Sequence, residues 1–329
     1  MENHGPILTD KFGRRIEYLR LSVTDRCDLR CSYCIPKGFR GFQEPASWLK
    51  FGEIERLLSI MAPRGLKRVR LTGGEPLVRR DLPDLVAKIA AVPGIFDVSL
   101  STNATRLETL AAPLKRAGLS RVNVSLDSLR ADRIQTITGR DVLHKILAGL
   151  AAAKQVGFAP IKINMVAMRG VNDDEIDDMI DFCMNHGFVL RFIETMPMGA
   201  TGRNAQFLDL QPTRRRLQSE LGLIAGESSG GGPARYLKTP DGKFSVGFIT
   251  PLSDHFCAAC NRVRLTADGT MYLCLGQRER AAFGPMLRRG ASDLEIVEAL
   301  REAMSIKPER HEFIEKPEKI SRIMAVTGG

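Results

Sequence analysis

Short β-branched runs alternate with amphipathic stretches of helical period over roughly the first two-thirds of the chain. The runs Tyr18 to Val23, Lys67 to Thr72, Asp97 to Thr102, Arg121 to Leu126, Ile161 to Val166 and Leu190 to Glu194 predict six strands. Helical periodicity and stop signals predict helices over 51–62, 81–91, 107–117, 141–155 and 173–185, with Gly118, Gly157 and Gly187 as terminators. Alternation of this kind specifies a parallel sheet with right-handed crossovers, either an open doubly wound sheet or a partial barrel. In both, function gathers where strands end. Polar and special residues do follow the strands: Cys27 the first, Gly73-Gly74-Glu75-Pro76 the second, Asn103 the third, Asp127 the fourth, Thr195-Met196 the sixth.

Past Met196 the alternation stops. Ser228 to Pro233 reads as a loop without a motif, followed by a strand at Phe244 to Ile249. Arg262 to Ala267 and Thr270 to Cys274, joined by Asp268-Gly269, predict a hairpin with a two-residue turn. A helix at Asp293 to Met304 precedes a polar tail ending in Gly328-Gly329. The chain divides on this reading into a unit over 1–196 and a smaller module over 197–329.

Hydrophobic residues at 43% and charged residues at 26% are ordinary globular values. No apolar run reaches the ~20 residues of a spanning helix, and the start has no basic segment followed by an apolar one. The reading is a cytoplasmic protein with no membrane partner. A net charge of +10 favours a polyanion, either nucleic acid or a phosphate-bearing small molecule, against the alternative of a solvated basic surface. Aromatics are only 6% and do not interleave with the basic residues, against a single-strand nucleic-acid surface, and charge suggests an anion without choosing it.

Seven cysteines without a secretion signal point to metal binding or redox chemistry rather than disulfides. Six fall into two trios, Cys27/Cys31/Cys34 and Cys257/Cys260/Cys274. Cys183, beside Ile180 and Met184 on a helix, reads as a core thiol. A closed zinc site wants four ligands, whereas a 4Fe-4S cube can use three thiolates and keep one iron open. Zinc with a distant fourth ligand is the competing account of the first trio. Gly73-Gly74-Glu75-Pro76 offers close backbone approach to a ligand, a carboxylate and a rigid exit. His255 is a candidate fourth ligand for the second trio. Arg262 and Arg264, two apart on a strand, share a face and suit a phosphate-bearing ligand. A zinc ribbon with surface arginines is the alternative there.

CDLRCSYC followed by LTGGEP resembles the radical S-adenosylmethionine superfamily. The resemblance implies an α/β fold, an incomplete (β/α)6 TIM-like barrel, and a 5′-deoxyadenosyl radical released from S-adenosylmethionine. Further along, YLRLSVTDRC, VRLTGGEPLVRRDL, NVSLDSL, RFIE, FCAACNRVRLTADG and the terminal Gly-Gly resemble the GTP 3′,8-cyclases of molybdenum cofactor biosynthesis over nearly the whole chain. That likeness implies two 4Fe-4S clusters, on Cys27, Cys31 and Cys34 and on Cys257, Cys260 and Cys274 of the C-terminal module. It implies GTP contacts from Arg20, Arg70, Ser101, Lys162, Arg262 and Arg264, and an S-adenosylmethionine site lined by Tyr33, Gly74, Ser125 and Met196. Gly328 and Gly329 would enter the active site and assist cyclisation. The product would pass to a cyclic pyranopterin monophosphate synthase; the sequence leaves the electron donor unnamed and a homodimer open. One departure is Ser101-Thr102-Asn103-Ala104, where the family has Thr-Thr-Asn-Gly and Ala104 stands in place of a glycine. The alternatives are another radical S-adenosylmethionine enzyme with an auxiliary cluster, such as a peptide maturase, and a basic zinc nucleic-acid-binding protein.

Overall fold

Within the strands, side chains alternate between apolar and polar, and the alternation divides the sheet into two unlike faces. A computed structural model describes residues 8–36, 38 and 45–328. All six expected strands form: β1 (Tyr18–Ser22), β2 (Arg68–Thr72), β3 (Asp97–Thr102), β4 (Arg121–Ser125), β5 (Lys162–Ala167) and β6 (Val189–Glu194). They pair in parallel and in sequence order. Leu19, Leu71, Leu100, Val124, Ile163 and Leu190 are fully buried on the face toward the helices, each contributing roughly 1.5–3 kcal/mol relative to exposure. The opposite face carries Arg70, Ser99, Asn123, Lys162 and Arg191, also buried, and the half-buried Arg20. Burying polar groups is costly unless they find partners. The inner face of the curved sheet is therefore a polar lumen rather than a packed apolar core.

Six helices cover the outside: α1 (Phe51–Met61), α2 (Leu82–Ala90), α3 (Leu107–Arg116), α4 (Ala131–Thr138), α5 (Leu143–Gln155) and α6 (Ile176–His186). Five match expected helices. The sixth, α4, lies in the β4–β5 crossover and ends at Gly139, whose φ of 79° supplies the left-handed stop.

Beyond β6 come α7 (Gly199–Asn204), α8 (Leu210–Glu220), β7 (Ile224–Gly226), β8 (Arg235–Lys238), β9 (Ser245–Ile249), β10 (Arg262–Leu265), β11 (Thr270–Tyr272), β12 (Arg280–Ala282), α9 (Phe283–Arg288), α10 (Asp293–Ser305) and α11 (Met324–Thr327). These strands join both edges of the same sheet, in the order β12-β11-β10-β1-β2-β3-β4-β5-β6-β9-β8-β7. β9 runs parallel to β6 and β10 parallel to β1, so the parallel run of six is extended at each end by a C-terminal strand. The β10–β11 hairpin is closed by Thr266 N–H donating to Thr270 O at 2.9 Å, which leaves a three-residue loop over 267–269 instead of the expected two. Gly269 N–H donates to Thr266 O at 2.9 Å, and Gly269 takes a φ of 86°. Its glycine sits at the left-handed bulge position. Cys183 is a buried core thiol, as its helix position suggests. Among the described residues no helix is long and apolar enough to cross a membrane.

Candidate active site

Cys27, Cys31 and Cys34 lie on the loop leaving β1, and three neighbouring segments fix its path. Gly74 N–H donates to Thr24 O at 2.9 Å and Glu75 N–H to Arg26 O at 2.7 Å. A Cβ on Gly74 would stand 2.3 Å from the Arg26 carbonyl oxygen, and one on Gly73 2.5 Å from that of Thr24. The close approach that these glycines permit is thus to the cysteine loop itself. Asp28 accepts from Asn103 Nδ2 at 2.8 Å and Thr105 Oγ1 at 2.6 Å. Arg30 and Ser32 N–H groups donate to Thr138 and Ile137 carbonyls at 2.8 and 2.9 Å, which explains what α4 does for the site. Tyr33 donates to Asp127 Oδ2 at 2.7 Å, and Asp127 Oδ1 accepts from Val166 N–H at 2.8 Å.

Glu75 is buried in a cradle of donors, with Thr102 Oγ1 and Asn103 N–H at 2.7 Å and Leu77 N–H at 3.0 Å. Burial nevertheless pushes its carboxyl up to about 7. Asp127 is likewise raised by burial, to about 6.

The second trio lies at the other end of the strands. Cys257 and Cys260 precede β10, which is parallel to β1, whereas Cys27 follows β1. Basic residues grip the backbone here. Arg14 Nη1 donates to Cys257 O at 2.9 Å, Lys307 Nζ to Arg262 O at 3.1 Å, and Arg322 Nη2 to Cys274 O at 3.3 Å. Burial pushes the Cys260 thiol up, but the charges of Arg262 and Lys307 outweigh it and its net shift is downward.

Both trios suit iron–sulfur clusters. All six cysteines are free thiols. Burial raises Cys31 well above its usual range and Cys34 to about 12, so the thiolates that bind metal need cationic iron beside them. The thiols feel one another's charge, yet among the described residues no three His, Cys, Asp or Glu side chains converge as tightly as one metal ion requires. A cube spreads its cysteines over separate irons.

Between the trios runs a cationic lumen. Arg264, Arg20 and Arg70 occupy one register row across β10, β1 and β2. At the ~4.8 Å strand spacing and an effective dielectric of about 20, adjacent unit charges repel by about 3 kcal/mol. Burial and neighbouring arginines hold Arg264 down at about 9, burial holds Arg191 at about 10, and burial with Arg264 lowers Arg20. A polyanion would relieve that repulsion. A cavity joins the second trio to Arg20, Arg70, Ser101, Met196, Arg262 and Arg264.

Sequence reasoning missed Arg191 and Asn164, which also line it. Lys162 is not on this wall; its ammonium donates to Ser228 Oγ at 2.7 Å and Ser229 O at 2.6 Å. Tyr33, Gly74 and Ser125 stay with the first cysteine loop and the end of β4, off the cavity wall. His255 faces the His311 ring at 6.1 Å.

The C-terminal tail threads between the trios. Met324 lines the cavity, and the Ala325 N–H donates toward the Cys34 thiol. Arg264 Nη1 donates to Thr327 O at 3.2 Å and to Gly328 O. Gly329 lies outside the described residues. Ala104, the departure noted above, takes a φ of 60° and keeps the left-handed turn despite its Cβ.

Residues 21–183 match the Radical SAM superfamily and residues 188–313 the family described as Molybdenum Cofactor Synthesis C. SuiB of Streptococcus suis bound to S-adenosylmethionine shares the fold, with a TM-score of 0.63 and 15% identity over 95% of this chain and 77% of that one. Sheet, cysteine loop and matched regions together define a radical S-adenosylmethionine enzyme with a second cysteine-bearing module. A GTP 3′,8-cyclase of Erythrobacter litoralis is 45% identical, covering 98% of each chain, and one of Ectopseudomonas mendocina is 41% identical over 99% of this chain and all of its own. The chain belongs to the GTP 3′,8-cyclase family. Neither the peptide-maturase nor the zinc-protein alternative is favoured by these relatives.

Proposed function

We propose that the chain converts GTP to (8S)-3′,8-cyclo-7,8-dihydroguanosine 5′-triphosphate, the first step of molybdenum cofactor biosynthesis, with the nucleotide held in the cationic lumen. The observation that supports this most is one cavity carrying Cys257, Cys260 and Cys274 together with Arg20, Arg70 and Arg264. Held on Cys27, Cys31 and Cys34 beside S-adenosylmethionine, and on the second trio, two 4Fe-4S clusters would supply a 5′-deoxyadenosyl radical and an open iron for guanine. Tyr33, Gly74, Ser125 and Met196 would line the S-adenosylmethionine site.

The chain's own residues do the rest. Arg20, Arg70, Arg262, Arg264 and Lys162 neutralise the triphosphate, and guanidinium forks suit its oxygens. Ser101 adds a hydroxyl at the wall. This grip holds the ribose so that C3′, once its hydrogen is removed, faces C8; fixing two reacting atoms together is worth several kcal/mol of barrier. Gly328, held by Arg264, and Gly329 after it would enter the active site and assist cyclisation. Electrons would come from an external donor in the cytoplasm, and the product would go to a cyclic pyranopterin monophosphate synthase.

The test is oxygen-free reconstitution with GTP, S-adenosylmethionine and a reductant, read by mass. The expected products are 5′-deoxyadenosine and an isomer of GTP. Absence of both, with iron and sulfide confirmed, rejects the reading.

A further inference from the structure

The stretch Ser228 to Gly231 carries no motif, yet it lies across the N-terminal ends of the barrel strands. Its contacts are the first residues of three of them: Arg68 of β2, Arg121 of β4 and Lys162 of β5. Arg121 Nη1 donates to Ser229 O at 2.9 Å. A Cβ on Gly230 would stand 2.2 Å from Arg121 Nη1, and one on Gly231 3.4 Å from the Arg68 side chain. Gly230 and Gly231 have φ of 121° and 57°, so the loop lies on these cations in a conformation that side chains would strain. Ser229 and Gly231 are exposed on the other side, while Pro233 reaches the cavity wall. The loop separates lumen from solvent.

Charge on this floor is unevenly balanced. Arg121 is paired with Asp97 and Arg68 with Glu17. Lys162, buried at 2% exposure, has no ion-pair partner among the described residues. Its donors end on neutral oxygens, Ser228 Oγ at 2.7 Å, Ser229 O at 2.6 Å and Tyr236 Oη at 3.1 Å. The register row of Arg264, Arg20 and Arg70 continues through Ser99 to Arg121, directly under the loop. That row ends at Arg121, and Lys162 stands on the next strand, level with Ser101 and Asn123 in the adjacent row. A phosphate chain lying along the arginines therefore ends at Arg121, with Lys162, which has no carboxylate beside it, on the neighbouring strand.

We propose that Ser228 to Gly231 is the end stop of the polyphosphate site, holding Lys162 and Arg121 so that the chain selects a nucleoside triphosphate over the diphosphate. This rests on the cyclase reading for its nucleotide, but the phosphate chain alone reports on it. Ser228 is a positioning residue, acting through the Lys162 ammonium.

The experiment uses the full, cluster-loaded chain and its Ser228→Ala, Ser228→Thr and Gly230→Ala variants. Equilibrium binding is measured for GTP against GDP and for inorganic tripolyphosphate against pyrophosphate, together with KM and kcat. The unaltered chain is expected to prefer the longer member of each pair by roughly tenfold or more, the worth of a charge-assisted contact. Ser228→Ala and Gly230→Ala should bring that ratio toward one by weakening the longer ligand alone, raising KM at unchanged kcat; Ser228→Thr should restore it. No preference in the unaltered chain, or variants that weaken both members equally, overturns the end stop. A chain that prefers tripolyphosphate but yields no 5′-deoxyadenosine with GTP keeps the end stop and overturns the cyclase reading. Equal turnover of GTP and GDP does the reverse.

Discussion

Arg264 donates from its guanidinium to the carbonyl oxygen of Gly328, which pins the end of the chain inside the barrel beside β10. Gly328 has a φ of 75°, and a Cβ there would stand 2.0 Å from Thr72 Oγ1. Only glycine fits. Deleting Gly328 and Gly329 should abolish product while fold and iron content survive, since no strand depends on them; Gly328→Ala should lose most activity by expelling the tail. Circular dichroism, iron and sulfide assays and product mass check this. Full activity of the truncated chain would remove the tail from the mechanism.

Lys162 gives a pH signature. Burial, then Arg191 and Arg121, lower its ammonium to about 6. Between pH 6 and the unfolded value near 10.4 the unfolded chain holds the extra proton, so this group makes stability rise with pH across that window. A phosphate beside it reverses the shift. Triphosphate binding near pH 8 should therefore take up a proton, visible as a dependence of calorimetric binding heat on the buffer's ionisation enthalpy. Lys162→Met should abolish that dependence; an unchanged dependence would place the proton elsewhere.

Ala104 tests how much a left-handed alanine costs. Relief of that conformation, about 1–2 kcal/mol, is offset in Ala104→Gly by a lost buried methyl of about 0.8 kcal/mol and glycine's unfolded freedom of about 0.5–1 kcal/mol. The expected change is near zero. Gly149→Ala, by contrast, would put a Cβ 2.6 Å from Ala104 O. It should cost about 1–3 kcal/mol as α5 is pushed off the turn, read from thermal midpoints.

Glu194 joins the end of β6 to the C-terminal segment. Its buried carboxylate accepts from Leu252 N–H at 3.0 Å, Ser253 N–H at 3.1 Å and the Ser253 hydroxyl. Glu194→Ala strands these donors at about 1–3 kcal/mol each. The thermal midpoint should fall on the order of 5 °C or more, with Glu194→Gln milder because one oxygen remains.

The six strands were legible because Val, Ile and Leu recur between turn signals, and the first cysteine loop because its spacing is compact. Less visible was which way the other strand residues face. RVRLT, RVNVS and the KINM that opens β5 alternate strictly, and that period of two sends Arg70, Asn123 and Asn164 inward together. Reading it as a lumen signal would have found Arg191 and Asn164. The loop at Ser228 to Gly231 had no local signal at all, because its role comes from Arg121 and Lys162, far away in sequence. The joining of β9 and β10 to opposite edges of the sheet is likewise a long-range pairing. The β10–β11 turn differed by one residue because Asp268-Gly269 fits both a two-residue turn and the end of a three-residue loop.

The central claim is that this lumen presents the ribose C3′ hydrogen of GTP to the radical formed at the first cysteine loop. It is tested most directly with GTP carrying deuterium at C3′, under oxygen-free turnover with S-adenosylmethionine and a reductant. The account predicts 5′-deoxyadenosine bearing that deuterium, formed together with the cyclised nucleotide. Unlabelled 5′-deoxyadenosine alongside unchanged GTP, from protein with both clusters loaded, would contradict it.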